Sequence, residues 1–181
     1  MSLSLAEAVA NSDRLSVTTL LDAGTGDINA PGTDGTTPLC AAALWGDDHM
    51  LSLLLARGAD PNARNSVTLW TPLHAAAFQE HGKVVRLLLE AGARPDVADA
   101  EHRTPADFAS VSEAIWPFFA HAGCIRSAKS HLVAVGIVRK VEPVPTSAPT
   151  ASSPKAVPKN AIRQLSRPGS AYIRVSIDPM R

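Results

Sequence analysis

Residues able to do chemistry are sparse in this chain, and their spacing brings none of the familiar constellations together. The six histidines, His49, His74, His81, His102, His121 and His131, include no His-x-x-x-His or His-Glu-x-x-His pair, the spacings that put two metal ligands on one helical face. Cys40 and Cys124 stand far apart, which leaves no Cys-x-x-Cys metal site and no disulfide framework. A Gly-x-Gly-x-x-Gly turn, a Gly-Lys-Ser/Thr phosphate cradle and a Gly-x-Ser-x-Gly elbow are all missing. The adjacent Asp47 and Asp48 read as solvated charge at the positive end of a helix. Nothing here calls for a cofactor or a metal, and catalysis is not expected.

The composition fits a soluble protein with a modest core. With 181 residues, 45% hydrophobic and 19% charged, the chain is expected to form one folded domain with a remainder left over. Its apolar runs, residues 132–138 among them, are far shorter than the roughly 18 residues of a membrane span. The opening residues lack the positive start and apolar stretch of a signal peptide. With only two cysteines, a reducing compartment is the expectation, cytoplasmic and/or nuclear. The formal net charge of zero hides an asymmetry: residues 1–124 hold 7 Lys/Arg and 15 Asp/Glu, net −8, and residues 125–181 hold 10 and 2, net +8. Half of the 14 prolines fall between Pro143 and Pro179, and no Trp or Phe follows Phe119. Residues 142–181 are therefore expected to be a disordered basic Pro/Ser-rich tail.

What must position any binding residues is a repeat. Thr37-Pro38-Leu39-Cys40-Ala41-Ala42-Ala43 recurs as Thr71-Pro72-Leu73-His74-Ala75-Ala76-Ala77 and, decayed, as Thr104-Pro105-Ala106-Asp107-Phe108-Ala109, at spacings of 34 and 33. A second element keeps the register: Leu53-Leu54-Leu55-Ala56-Arg57-Gly58 and Leu87-Leu88-Leu89-Glu90-Ala91-Gly92. Stepping back by 34 reaches Leu5 and Leu21, a first repeat without Thr-Pro. Thr can cap a helix whose first turn accepts Pro, the alanines make that helix thin, the Leu triplets supply an apolar second helix, and the glycines end it.

These motifs resemble the ankyrin repeat family, with its Thr-Pro-Leu-His start, alanine pair, Leu-Leu ending and Gly-Ala-Asp-Val-Asn finger. The resemblance covers about residues 1–124, in units of approximately 1–33, 34–66, 67–100 and 101–124. It implies an all-α solenoid of about four helix-turn-helix units with β-turn fingers, each stabilised by its neighbours. It also implies that His74 is structural, bonding the adjacent turn. Departures from the family pattern are Cys40 and Asp107 at the histidine position, and Glu80-His81-Gly82 where Gly-His is usual, which predicts a rebuilt loop. The finger before Trp70 is one residue longer than the next and should project differently. Pro117 falls inside the expected second helix of the last unit, which reads as a cap. Residues 125–141 could extend that cap as a strand or a helix.

Ankyrin-like stacks bind protein partners on a concave face of finger tips and first-helix ends. Carried over residue by residue, that face receives Thr36, Leu44, Trp45, Trp70, Phe78, Gln79, Arg103 and Ser112. Three of the chain's eight aromatic residues then meet on one surface, where an exposed apolar patch is expected to be covered by a partner. Trp45→Ala and Trp70→Ala should weaken binding and spare stability. The alternative is that Phe78 and Trp45 fold back over the alanine helices.

The Leu-to-Asn spacing ending at Asn29 and Asn62, with Asp27 and Asp60 two residues earlier, resembles the acceptor of an asparaginyl hydroxylase; the competing reading is a turn-forming Asn. Around Ser166, Arg163-Gln164-Leu165-Ser166-Arg167-Pro168 resembles a basophilic kinase site and a phosphoserine-dependent 14-3-3 docking motif. The period-two pattern from Tyr172 to Asp178 suits strand addition to a partner's sheet edge. Basic residues spread singly without aromatics make nucleic acid an unlikely partner; a monomer is expected. The function expected is a non-catalytic adaptor or scaffold with a protein on its concave face. The alternatives are a regulatory inhibitor that occludes a partner's functional surface and a substrate receptor of a larger enzyme complex.

Overall fold

The computed structural model describes residues 4–24, 27–140 and 172–174. The Thr-Pro pairs do what their chemistry predicts. Thr37, Thr71 and Thr104 each accept a hydrogen bond from the amide three residues on, at 3.3, 3.4 and 3.2 Å. They start α3 (Pro38–Trp45), α5 (Pro72–Phe78) and α7 (Pro105–Ser110). Ser4 does the same for α1 (Leu5–Ala10), with Glu7 closing a capping box. Each is paired with a second helix: α2 (Arg14–Asp22), α4 (Asp48–Ala56), α6 (Gly82–Glu90) and α8 (Trp116–His121). Helices α1, α3, α5 and α7 pack in sequence as one row, and α4, α6 and α8 form a second row behind them.

The core lies between the rows and between neighbouring units. Leu39, Leu54, Leu73 and Leu88 are almost wholly buried, with Ala42, Ala43, Ala76 and Ala77; burial of each Leu side chain contributes about 1.5–3 kcal/mol. The small alanines let the first-row helices approach closely.

The connection between the helices of the first three units is not rebuilt as the sequence suggested. Ser12, Gly46 and Glu80, spaced by 34, all take positive φ. The next residue's amide bonds back in the same way each time: Asp13 to Ala8, Asp47 to Ala42 and His81 to Ala76, at 2.9, 3.1 and 3.0 Å. Non-glycine residues therefore occupy an unchanged turn. Pro117 also departs from expectation. It sits in the first turn of α8, where the ring is tolerated, and not in the helix interior.

After Cys124 the chain forms α9 (Lys129–Ala134) and then β1 (Val138–Lys140), so the cap uses both a helix and a strand. Leu132, Ile137 and Val138 are buried there. β1 pairs antiparallel with β2 (Tyr172–Arg174), Lys140 opposite Tyr172. The sequence expectation of partner-strand addition thus meets, at these three residues, a strand of the same chain. The remainder of the expected tail, including Ser166, lies outside the described residues. No described helix is long and apolar enough to cross a membrane.

Candidate protein-interaction face

The third residue of each capped helix ties its unit to the next. In α5, the Thr71 amide donates to His74 Nδ1 at 3.0 Å, so that nitrogen carries no proton; Nε2 bears the hydrogen and donates to the Arg103 carbonyl at 3.1 Å. His74 is fully buried, and burial pushes its pKa down to about 4, keeping it neutral. Cys40 sits likewise in α3, its thiol 3.6 Å from the Trp70 carbonyl and pushed up to about 12 by burial, an inert group. Asp107 completes the series differently. Its carboxylate accepts from the Thr104 amide and hydroxyl at 2.8 and 2.9 Å and from the Ser127 hydroxyl at 2.5 Å, with His131 Nε2 at 3.3 Å. The capping segment is thereby fastened to the last unit. Despite desolvation, those hydrogen bonds hold the Asp107 carboxyl below its usual range.

The fingers are closed by backbone bonds from Gly32 to Thr36, Asn65 to Trp70 and Asp99 to Arg103, and joined to one another by Ser66 to Gly35 and Ala100 to Thr68. The middle finger spans one extra residue. Its projection does not, however, carry Trp70 outward.

Three of the eight residues expected on the binding face are buried instead. Trp70 is 4% exposed, its indole N–H donating to Asp99 Oδ2 at 2.8 Å and its ring near His74, Phe78 and Phe108. Asp99 offers the buried indole the acceptor it needs. Arg103 is 3% exposed; its Nε and Nη2 both reach that same Oδ2 at 2.8 Å, Nη1 lies 2.8 Å from Glu101 Oε2, and the guanidinium stands 5.4 Å from the Phe108 ring centre. Ser112 is buried at the end of α7, its carbonyl taken by the Trp116 amide.

The other five remain accessible. Trp45, at the end of α3, is 62% exposed; Gln79 is exposed, and Thr36, Leu44 and Phe78 are half-buried. The end of α3 is held in place: His81 Nε2 bonds the Leu44 carbonyl at 3.1 Å, and its ring lies so close to Gly46 that a Cβ there would come within 2.8 Å. Folding of Trp45 back over the alanines does not occur; Phe78 does pack on Trp70 and Phe108. The structure adds Val67 and Leu69, 69% and 37% exposed on the long finger. Leu69 has φ +59° at the position occupied by Gly35 in the finger before, a conformation unfavourable for a side chain. The alignment of Leu69 with Gly35, two residues before Thr-Pro, was the signal for this residue.

Asn29 and Asn62 both bind the neighbouring finger base: Oδ1 accepts from the Asp60 and Arg94 amides at 2.8 Å, and Asn62 Nδ2 reaches the Gly92 carbonyl at 3.2 Å. Among the described residues no group of three or more His, Cys, Asp or Glu side chains converges as a metal site.

Paired helices in register, linked fingers and Thr-capped alanine helices define a repeat protein, and a model of ankyrin repeats (three copies) matches residues 5–112. The chain belongs to the ankyrin repeat family, whose repeats are generally protein–protein interaction modules and typically non-catalytic. It is also similar to protein PhlB of Serratia liquefaciens, 52% identical over 58 residues, which are 32% of this chain and 25% of that protein. The match thus spans about a quarter of that relative's length.

Proposed function

We propose that this protein is a non-catalytic adaptor that holds a protein partner on the face bordered by its finger tips and first-row helix ends, with Trp45 as the anchor. The observation that carries this reading is the exposure of a Trp side chain on a helix end fixed from behind by His81. Leu44, Val67 and Leu69 extend the apolar area, and Thr36, Phe78 and Gln79 lie in the same set of finger and helix-end positions. Large apolar groups kept in water on a rigid frame are what binding hot spots are made of. The frame needs no rearrangement to present them.

The test is affinity capture or proximity labelling with wild type and Trp45→Ala, alongside thermal melts. Recovery of the partner falls by about tenfold or more, in line with a hot-spot loss of ~2 kcal/mol, while the melting temperature holds. Equal recovery with both proteins would refute the role of this face. A partner whose own activity drops on binding would favour the inhibitor reading; two partners held together would favour the adaptor.

Asn29 and Asn62 enter the same proposal as hydroxylation candidates, and Ser166 as a phosphorylation and 14-3-3 docking candidate. A gain of one oxygen on either Asn after treatment with a hydroxylase, and loss of a phosphopeptide in Ser166→Ala, are the respective readouts.

A further inference from the structure

The second helices of the first three units begin with the same backbone but not with the same chemistry. Asp13, Asp47 and His81 stand just before α2, α4 and α6 with φ of −83, −78 and −76° and ψ of 84, 89 and 81°. Asp13 and Asp47 use that geometry to cap their helices, accepting from the Ser16 and Met50 amides at 3.1 and 2.9 Å. His81 makes no such bond. Its ring reaches back to the preceding unit, where Nε2 donates to the Leu44 carbonyl at 3.1 Å. That carbonyl belongs to the last turn of α3, where a helix has no amide of its own to offer.

The same ring accounts for Gly46. A φ of +73° does not by itself demand glycine in this turn, since Ser12 and Glu80 take φ of 56° and 62° at the equivalent place. The imidazole does demand it: a Cβ on Gly46 would meet His81 Nδ1 and Cε1 at 2.8 Å. Leu44 and Gly46 flank Trp45, so one side chain of the third unit holds both sequence neighbours of the exposed indole. Departures from a fold's own local pattern concentrate at functional sites. We infer that His81 is a positioning residue for partner binding: it forgoes the cap of α6 to fix the backbone that carries Trp45, so the anchor of one unit is set by the unit after it. The inference rests on the reading of Trp45 as the anchor.

His81→Asp separates positioning from folding, because it removes the ring and its donor while restoring the capping group found at positions 13 and 47. The melting temperature of the full chain stays at the wild-type value or rises. Amide hydrogen exchange at Trp45 and Gly46, read by NMR, speeds up severalfold while α7 is unchanged. The probe for binding is the set of proteins that wild type recovers by affinity capture and Trp45→Ala loses, quantified by mass spectrometry; their recovery falls severalfold in His81→Asp. Gly46→Ser, which puts the residue type of Ser12 in the turn but crowds the ring aside, lowers recovery as well, and decides the matter if His81→Asp melts early. Unchanged exchange at Trp45 and Gly46, or full recovery by these variants, overturns the inference. If Trp45→Ala loses the set and His81→Asp keeps it, the positioning role alone is wrong. If Trp45→Ala loses nothing, the binding face is wrong and the inference falls with it.

Discussion

The indole N–H of Trp70 donates to Asp99 Oδ2 at 2.8 Å across 29 positions of sequence, and one unit earlier the same two positions are joined with the direction reversed, Asn65 Nδ2 donating to Thr36 Oγ1 at 3.2 Å, again 29 apart. In both pairs the residue just before a Thr cap bonds the Asx side chain that shapes the next finger. Asn65 Oδ1 accepts from the Val67 and Thr68 amides, and Asp99 Oδ1 from the Glu101 and Arg103 amides. A position that looks free within its own repeat is therefore committed to the following one.

Trp70→Ala is expected to destabilise the protein by about 3–5 kcal/mol, the range for emptying a large aromatic site. Asp99→Ala, which strands the buried Arg103 guanidinium, is expected to cost a similar ~3–5 kcal/mol. Urea denaturation monitored by circular dichroism measures both; Trp45→Ala in the same series stays within about 0.5 kcal/mol of wild type.

Acid should weaken the stack through His74. Its pKa is about 4 in the folded chain against 6.5 as the ordinary value, so the unfolded chain takes up a proton first. Above pH 6.5 the group has no effect on stability. Between pH 6.5 and 4 stability falls, by about 3 kcal/mol in all, and below 4 the contribution levels off. Urea midpoints across this range in wild type and His74→Gln check it; an equal slope in the variant would contradict the assignment.

Leu69→Gly is expected to leave stability equal to wild type or raised by up to about 1 kcal/mol, because relief of the left-handed backbone offsets the loss of a partly exposed side chain. If the long finger contributes to binding, the same variant recovers less partner. Thermal melts and quantitative capture on one preparation give both numbers.

Asp107→Ala is expected to release the C-terminal cap. Removing the carboxylate leaves the partly buried Ser127 hydroxyl and Thr104 amide without their acceptor, at a cost of about 1–3 kcal/mol in all. Hydrogen exchange should rise across residues 127–138 before it rises in α3 or α5. Since the folded state holds this carboxyl below its usual range, its contribution is present above about pH 4 and fades as the pH drops through the lowered value.

The sequence by itself determined the repeat, the caps and the core. Thr-Pro fixes where a helix starts from local bonding alone, a Leu triplet fixes which face of the next helix is apolar, and a glycine fixes where it stops; each is decided within a few residues, so each was legible. His74 was legible for the same reason, its role following from its place behind Thr71. Only the tertiary structure decided which large side chains reach water. Trp45 and Trp70 look alike in sequence, yet one ends an alanine helix and stays largely in water, and the other meets a carboxylate 29 residues away that no local pattern announces. The Glu80 turn was misjudged because the left-handed conformation that glycine adopts freely costs another residue little enough that packing of the two helices on either side of it prevails. Side-chain direction at a unit boundary is set by the neighbouring unit, and that information exists only once the units are stacked.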